Sequence, residues 1–369
     1  MLSAHITASQ IAGWLNRRLA RPHLPHRLPK LAPGDRVAVL SPAFAAPGFA
    51  PAVHAQAMRR IEHELGLVPV EYPTTRLLDA SPRARAADVN AAFADPSIRA
   101  IFATLGGDDQ ITVIPYLDAS LAVADPKPFF GYSDNTNLLN WLWQAGVPGY
   151  YGGSTQVHLG AGPGIDDIHV RGLRAALFDG GEPSLTEPGA SEDFGADWLS
   201  PEALTQYGDR EQTAPWTWAG PTRTAEGKTW GGCIEVIDQI ALADRMPSLD
   251  QLQGSILLLE SSEEVPPAIA IQRWLRALGE RGVLAAVDGV MVARPPVSTH
   301  EHTPPAEVRA KLRAEQRDAV LEEVTRYNPD AIICIGVPFG HTRPQWIVPY
   351  GGMLRLDAAS RTVTASYDS

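Results

Sequence analysis

Short β-branched and aromatic runs alternate with segments of helical periodicity between residues 33 and 155, and this alternation narrows the possible folds more than any other feature. Strands are predicted over Val37–Leu40, LVPVEY (67–72), AIFATL (100–105) and PFFGY (128–132), with helices over 54–67 and 84–98. Strands that alternate with helices build βαβ units and a parallel sheet. Ligands of such sheets bind beyond the carboxyl ends of the strands.

Length and charge exclude several classes of protein. A chain of 369 residues has room for two domains, each with its own core. Carboxylates outnumber Lys and Arg by 42 to 31, and the formal charge of −11 argues against a nucleic-acid binder that neutralises phosphates. The two cysteines, Cys233 and Cys334, predict neither a disulfide framework nor a cysteine metal site, which favours a reducing cytoplasm. No apolar run reaches the roughly 20 residues that span a bilayer, so no membrane association is expected.

The first thirty residues differ from the rest of the chain in charge. They contain no acidic residue but carry several Arg and Lys side chains, and the pattern predicts a short helix over Ile11–Leu19 that ends before Pro22. Two interpretations stay open, an interaction arm and a loosely held terminal extension.

Two loops follow predicted strands at the same sheet edge. The loop LGGDDQ (105–110) has adjacent glycines, Gly106 and Gly107, that let backbone amides approach a ligand, although a tight turn explains them equally well. The loop GYSD places Ser133 between a strand and a helix, where a serine either caps the helix or presents a nucleophilic hydroxyl. In the second case, the amide of Asp134 is positioned to stabilise an oxyanion.

A nucleophilic serine needs a base and a third group that orients the base. His341 is the preferred base because it follows the strand-like run Ile332–Val337 and a Pro-Phe-Gly turn, with His158 and His169 not excluded. Candidate carboxylates are Glu260 and Glu235. Glu260 ends the apolar run Ile256–Leu259, where an unpaired carboxylate is costly, so it is preferred and Glu235 is kept in reserve. Glu263 and Glu264 are interpreted as solvated or capping residues.

Taken together, these segments resemble a known family. The stretches LAPGDRVAVLSPA, FATLGGDD, PKPFFGYSDNTNLL, GKTWGGCIEVID, ILLLESSEE and VPFGHTRP occur in the order seen in serine peptidase family S66, over roughly residues 31–355. That family contains the L,D-carboxypeptidases of murein recycling and the microcin C immunity hydrolases, which confer antibiotic resistance.

The resemblance implies a fold and a division of the chain. It predicts an α/β protein in which an N-terminal Rossmann-like parallel-sheet domain precedes a C-terminal strand-rich domain with a β-barrel-like, α+β character. The expected divisions are an extension (1–30), a nucleophile domain (31–155), a linker with a substrate loop (156–225) and a C-terminal domain carrying Glu and His (226–369). The resemblance also implies a cytoplasmic homodimer without metal or cofactor.

The resemblance assigns roles to single residues as well. It makes Ser133 the nucleophile, His341 the base and Glu260 the orienting carboxylate, and it makes the amides of Gly107 and Asp134 the oxyanion hole. Further residues are expected to contact the substrate: Gly106, Asp108, Trp216, Trp218 and Glu235.

Two substrate classes are compatible with the resemblance. The tryptophans of APWTWAG favour the microcin-immunity branch, in which an aromatic side chain on a mobile loop stacks on the nucleotide. The expected reaction is amide hydrolysis in a small peptide or an aminoacyl-nucleotide, with release of D-alanine from a murein tetrapeptide as the alternative. The polar stretch 300–318 departs from the family pattern and predicts a loop with a surface helix.

Two other functions compete with hydrolysis. A phosphoryl-transfer enzyme is disfavoured because Asp109 would face the phosphates and no P-loop lysine follows. A non-catalytic binding module on the same fold stays open, because a fold does not fix a function.

Overall fold

A computed structural model describes residues 27–368 of the chain. The predicted helix over Ile11–Leu19 lies outside the described residues, as does most of the basic extension.

The N-terminal part is built on a six-stranded sheet with the strand order β13-β5-β4-β3-β1-β2, in which β13 is Val348–Tyr350 from the end of the chain. Its first five strands are mutually parallel, as the alternating sequence pattern predicted. They are β1 Arg36–Leu40, β2 Val68–Glu71, β3 Ile98–Ala103, β4 Phe129–Gly131 and β5 Gly149–Tyr151. The strands are short and nearly continuous in apolar residues, as expected for a sheet covered on both faces.

Helices connect these strands and cover the sheet. They are α1 Ala46–Phe49, α2 Pro51–His63, α3 Pro82–Ala94, α4 Ala119–Ala124, α5 Thr136–Gln144 and α6 Asp167–Arg174. Helix α2 begins at Pro51, three residues before the predicted start, because proline is well tolerated in the first turn of a helix. Two π-helical turns, Thr155–Gly160 and Ala175–Asp179, flank α6.

The C-terminal part is built on a seven-stranded mixed sheet with the order β15-β14-β9-β10-β11-β12-β8. Four central strands are parallel, and the strands at both edges are antiparallel. The strands are β8 Thr217–Ala219, β9 Thr224–Cys233, β10 Ile256–Glu260, β11 Gly289–Ala293, β12 Ile332–Val337, β14 Met353–Asp357 and β15 Thr362–Ala365. The expected architecture, a parallel N-terminal sheet followed by a strand-rich C-terminal part, is confirmed.

The helices of the C-terminal part lie between these strands along the chain. They are α7 Ile234–Leu242, α8 Leu249–Leu252, α9 Ala268–Glu280, α10 Val283–Ala286 and α11 Ala306–Tyr327. The surface helix predicted within 300–318 is therefore present, but it begins at Ala306 and continues to Tyr327.

The two parts are joined by more than the connecting chain. Strand β13, Val348–Tyr350, comes from the C-terminal end of the sequence and pairs with β5 at the edge of the first sheet. A small hairpin of β6, Ala190–Ser191, and β7, Glu211–Gln212, lies in the intervening segment. One continuous cluster of buried apolar side chains includes residues of both large sheets, for example Ile101 and Leu258.

Within residues 27–368, no helix is long and apolar enough to cross a membrane.

Candidate active site

Ser133 stands on a sharp turn between β4 and helix α5. Its φ of 62° is left-handed, a conformation that costs an L-residue roughly 1–2 kcal/mol. Residues Ser133–Asn135 form a single 3₁₀ turn that leads directly into α5. The turn holds the serine hydroxyl at the carboxyl edge of the sheet, the geometry of a strand-turn-helix nucleophile.

The loop after β3 packs against this turn through side-chain amides. Asn135 donates from Nδ2 to the carbonyl of Leu105 at 3.0 Å, and Gln110 donates from Nε2 to Asn135 Oδ1 at 2.8 Å. The backbone amide of Gln110 donates to Asp134 Oδ2 at 2.9 Å. Hydrogen bonds therefore join the two loops that the sequence predicted at one sheet edge.

Gly106 is the point of closest approach between these loops. A Cβ atom built on Gly106 would lie 2.8 Å from Ser133 Cβ and 2.9 Å from Ser133 Oγ. No side chain can occupy this position without displacing the serine hydroxyl, so the chain needs glycine here.

Glu260 and His341 complete a hydrogen-bonded chain with Ser133. His341 Nε2 lies 3.0 Å from Ser133 Oγ, and His341 Nδ1 lies 2.5 Å from Glu260 Oε2. Glu260 is the last residue of β10, and His341 follows the turn after β12, so both come from carboxyl ends of parallel strands. Gly340 permits their contact, because a Cβ there would lie 2.8 Å from Glu260 Cβ.

The electrostatic balance around His341 favours the charged imidazolium. Burial lowers the pKa of His341, but the negative charge and hydrogen bond of Glu260, joined by those of Glu263, outweigh burial and hold the pKa well above its ordinary value. This arrangement stabilises the imidazolium that forms when a histidine takes a proton from serine.

Of the two residues predicted to form the oxyanion hole, Asp134 directly follows Ser133, and Gly107 lies on the loop after β3. Asp134 is in the first helical turn, where backbone amides have no acceptor within the helix. Burial raises the pKa of the Asp134 carboxyl to about 6, and the hydrogen bonds from Gln110 and Asn137 oppose that shift. Gly107 and Asp108 are exposed on the neighbouring loop.

Glu235 does not contact His341. Its Oε1 accepts hydrogen bonds from the backbone amide and hydroxyl of Ser262 at 2.9 and 2.8 Å, and its Oε2 lies 3.1 Å from Cys233 Sγ. Burial and the nearby charge of Glu260 raise its pKa. Glu235 therefore anchors the loop that follows Glu260, and the reserve role as the orienting carboxylate was wrong.

Trp216 and Trp218 lie on the edge of the C-terminal sheet. Trp218 is paired with Cys334 in the β8–β12 ladder, and both indoles are half-buried against the hydrophobic core. Trp218 is thus fixed in a strand, whereas Trp216 stands in the loop segment directly before β8. Their contact with a substrate stays a prediction.

The two histidines that the sequence left open form a buried pair with each other. The rings of His158 and His169 stack with centroids 4.6 Å apart, and His169 Nδ1 lies 2.9 Å from the carbonyl of Gln345. Burial lowers the pKa of both, to about 4 for His169. Neither is hydrogen-bonded to Ser133.

Sequence reasoning missed two residues of this site. Tyr151, the last residue of β5, donates from its hydroxyl to Glu260 Oε1 at 2.5 Å. Glu263, interpreted from the sequence as a solvated or capping residue, lies with Oε2 3.1 Å from His341 Nε2. The run of polar residues directly after a buried strand could have indicated Glu263. Nothing in the sequence distinguishes Tyr151 from other aromatic residues at strand ends.

The arrangement as a whole is suited to nucleophilic catalysis. A strained serine, an imidazole in hydrogen-bonding reach and a buried carboxylate behind it are the parts that acyl transfer requires. Among the described residues, no group of three or more His, Cys, Asp or Glu side chains could hold a metal ion.

Comparisons with known proteins find similar sequences over most of the chain. Residues 37–152 match the family model of the LD-carboxypeptidase N-terminal domain, and residues 226–356 match that of the LD-carboxypeptidase C-terminal domain. A putative carboxypeptidase of Treponema pallidum is 27% identical over 301 residues, which is 81% of each chain. The microcin C7 self-immunity protein MccF of Escherichia coli is 24% identical over 76% of this chain and 77% of its own.

The solved structures show the same fold. The structure of MccF in complex with aspartyl sulfamoyl adenosine superposes with a TM-score of 0.80 at 22% identity, covering 94% of this chain and 100% of that one.

Proposed function

Because the chain belongs to the LD-carboxypeptidase family, peptidase S66, we propose that it is a serine hydrolase that cleaves an amide bond in an aminoacyl-nucleotide or a small peptide. The observation that carries the proposal is the hydrogen-bonded chain from Ser133 Oγ through His341 to Glu260. A serine that merely capped a helix would need neither the left-handed backbone nor a histidine paired with a buried carboxylate.

The proposed reaction proceeds through an acyl-enzyme. Ser133 Oγ transfers its proton to His341 Nε2 and attacks the amide carbonyl, while the backbone amides of Gly107 and Asp134 stabilise the oxyanion. The carbon–nitrogen bond breaks as His341 returns the proton to the departing amine. A water molecule, deprotonated by His341, then hydrolyses the ester and restores the serine.

The microcin-immunity branch is the preferred substrate class. Support comes from MccF, whose structure contains an aminoacyl-nucleotide analogue and shares this fold over nearly the whole chain. Such an activity would protect a cell from aminoacyl-nucleotide antibiotics. Release of D-alanine from a murein tetrapeptide is the second candidate, supported by the two LD-carboxypeptidase family models.

The proposed enzyme acts in the cytoplasm as a homodimer. The free, buried thiols of Cys233 and Cys334 suit a reducing compartment, and the resemblance to family S66 supports the dimer. Sedimentation equilibrium of the purified full chain tests the assembly, and a monomer across the micromolar range would contradict it.

Mass spectrometry of substrate cleavage tests the proposed function. The full-length protein and its Ser133→Ala variant are incubated separately with aspartyl sulfamoyl adenosine and with a murein tetrapeptide. We expect the unmodified protein alone to release aspartate from the nucleotide, whereas serine-dependent loss of D-alanine would support the murein branch. Binding of either compound by both proteins without cleavage would overturn the hydrolase in favour of a binding module.

A further inference from the structure

His341 Nε2 has two competing partners in the substrate-free protein. Ser133 Oγ lies 3.0 Å from this nitrogen and Glu263 Oε2 lies 3.1 Å from it. A protonated Nε2 donates to the carboxylate, whereas only an unprotonated Nε2 can accept the serine proton. Contact with Glu263 therefore favours the state of His341 that cannot act as a base.

The loop that carries Glu263 is held in place by hydrogen bonds. Ser262 is bound through its amide and hydroxyl to the buried carboxylate of Glu235, and the amide of Glu264 donates to Ser262 Oγ at 3.2 Å. Val265 then adopts a φ of 52°, which is rare for a β-branched residue. The surrounding structure thus fixes the backbone from which Glu263 reaches the histidine.

Among the described residues, Glu263 has no counter-ion other than His341. Its side chain is 73% exposed, and within residues 27–368 no Lys or Arg forms an ion pair with it or with Glu264. A substrate that covers this loop removes water from the carboxylate, and a carboxylate that loses water needs a compensating positive charge.

We propose that Glu263 is a specificity-determining residue that binds His341 Nε2 in the free enzyme and transfers its ion pair to a positively charged group of the substrate, such as a free α-ammonium group. This inference rests on the proposed hydrolase function. Binding of the cation releases the Nε2 proton to solvent and leaves a neutral imidazole that accepts the proton of Ser133. Substrates that lack the cation leave Glu263 on the histidine and react slowly.

The titratable groups around His341 are known from the structure. Glu260 and Glu263 contact its two ring nitrogens, and the Tyr132 ring packs against it with centroids 5.0 Å apart. His158 in turn packs against Tyr132. Glu263 is the exposed member of this set. Its pKa is lowered to about 2, because the hydrogen bond and charge of His341 outweigh the opposing effect of partial desolvation.

The first test needs no substrate. A fluorophosphonate probe reacts with an activated serine by forming a phosphorus–oxygen bond and expelling fluoride, and mass spectrometry gives the rate from pH 5 to 10. The wild-type rate should rise with pH along a limb above pH 6.5, because the pKa of His341 is raised. Glu263→Gln should move this limb to lower pH by roughly one unit, which gives about tenfold faster labelling on the limb.

Glu264→Gln is the matched control, because it removes an adjacent exposed carboxylate that does not contact His341. It should leave the limb in place. An unchanged limb in Glu263→Gln, or an equal shift in both variants, would overturn the inference. Failure of wild-type Ser133 to react at any pH would instead overturn the proposed hydrolase.

The second test addresses the cation. Aspartyl sulfamoyl adenosine and its N-acetylated form are compared as substrates of wild type and both variants. Wild type and Glu264→Gln should prefer the free amine by about tenfold or more in kcat/KM, and Glu263→Gln should lose most of that preference. Equal use of both compounds by wild type, or an undiminished preference in Glu263→Gln, would contradict the role of Glu263.

Discussion

Tyr151 is the single residue that connects most parts of the site. Its hydroxyl donates to Glu260 Oε1 at 2.5 Å and accepts a hydrogen bond from the backbone amide of Ser133 at 3.3 Å. Burial and the adjacent charge of Glu260 raise its pKa well above the ordinary value, so the phenol keeps its proton and remains a donor. Glu260 therefore has both oxygens occupied, one by Tyr151 and one by His341.

We expect Tyr151→Phe to lower kcat by one to two orders of magnitude. Hydrogen bonds to charged groups contribute about 1.5–3 kcal/mol, and the lost donor leaves Glu260 free to turn away from His341. Tyr150→Phe is the control, because the Tyr150 hydroxyl makes only a 3.5 Å contact with the carbonyl of Ala176. Steady-state kinetics of both variants provide the measurement, and equal losses of kcat would argue against a positioning role for Tyr151.

The sequence was informative about residues that terminate strands. Ser133, Glu260 and His341 were found because each follows an apolar run, and a buried polar group there needs a reason. Side-chain direction within a loop carries no such pattern. Glu263 is solvated, as the sequence indicated, but its contact with His341 was not predicted.

The loop after β3 and the turn after β4 act as one structural element. Side-chain amides of Asn135 and Gln110 connect them, and Gly106 lies directly against Ser133. The sequence predicted that both loops lie at the same sheet edge. If the two glycines only formed a tight turn, Gly106 would not need to lie against Ser133. Gly107 would meet Phe44 and Ala43 instead of the serine, so Gly106 is the more sensitive position.

We expect Gly106→Ala to reduce turnover by on the order of 10²–10³ while the protein remains folded, because a displaced oxyanion site has costs of this size. The added methyl group would lie within 3 Å of Ser133 Oγ. Gly164→Ala is the control, because its Cβ would meet only the hydroxyl of Tyr207, at 3.8 Å. Activity assays with circular dichroism separate the two effects. Wild-type turnover in Gly106→Ala would refute this account of the loop.

Helix boundaries were the least predictable elements. The polar stretch 300–318 contains the start of helix α11, whose continuation to Tyr327 the sequence analysis did not include. The helix has charged residues on most of its faces, so the apolar periodicity that defines a helix in a sequence is weak. Two of its arginines form tertiary ion pairs, which no sequence pattern reveals.

These ion pairs join distant parts of the molecule. Arg309 and Arg313 of α11, together with Arg294 after β11, bind Asp193 and Glu211 of the β6–β7 hairpin. The charges of Arg313 and Arg294 hold the pKa of Asp193 below its ordinary range, although burial opposes this. The segment 156–225, expected to be a linker with a substrate loop, is thus fastened to the C-terminal sheet.

Strand β13 shows why the parts of the molecule were hard to delimit from the sequence. It comes from residues 348–350 but completes the edge of the N-terminal sheet beside β5. A composition or periodicity pattern reports local structure only, whereas this pairing joins residues about two hundred positions apart in the chain.

The arginine cluster provides a prediction about the whole molecule. We expect Arg313→Ala to lower the free energy of unfolding by about 2 kcal/mol, below the 3–5 kcal/mol typical of a broken buried pair, because Arg294 and Arg309 still serve the two carboxylates. Arg313 is 19% exposed, whereas Arg317, one turn further along α11, is 40% exposed and bonds only its neighbour Asp318. Arg317→Ala should therefore change stability little.

Hydrogen exchange locates the effect of Arg313→Ala within the fold. Amides of the hairpin segment 190–213 should lose protection in this variant and keep it in Arg317→Ala, because Arg313, unlike Arg317, contacts Asp193 and Glu211. Urea titration of both variants supplies the stability difference. Equal exchange in the two variants would mean that the hairpin is held by its backbone contacts, such as the pairing of Glu192 with Arg343, and that the arginine cluster contributes little to its stability.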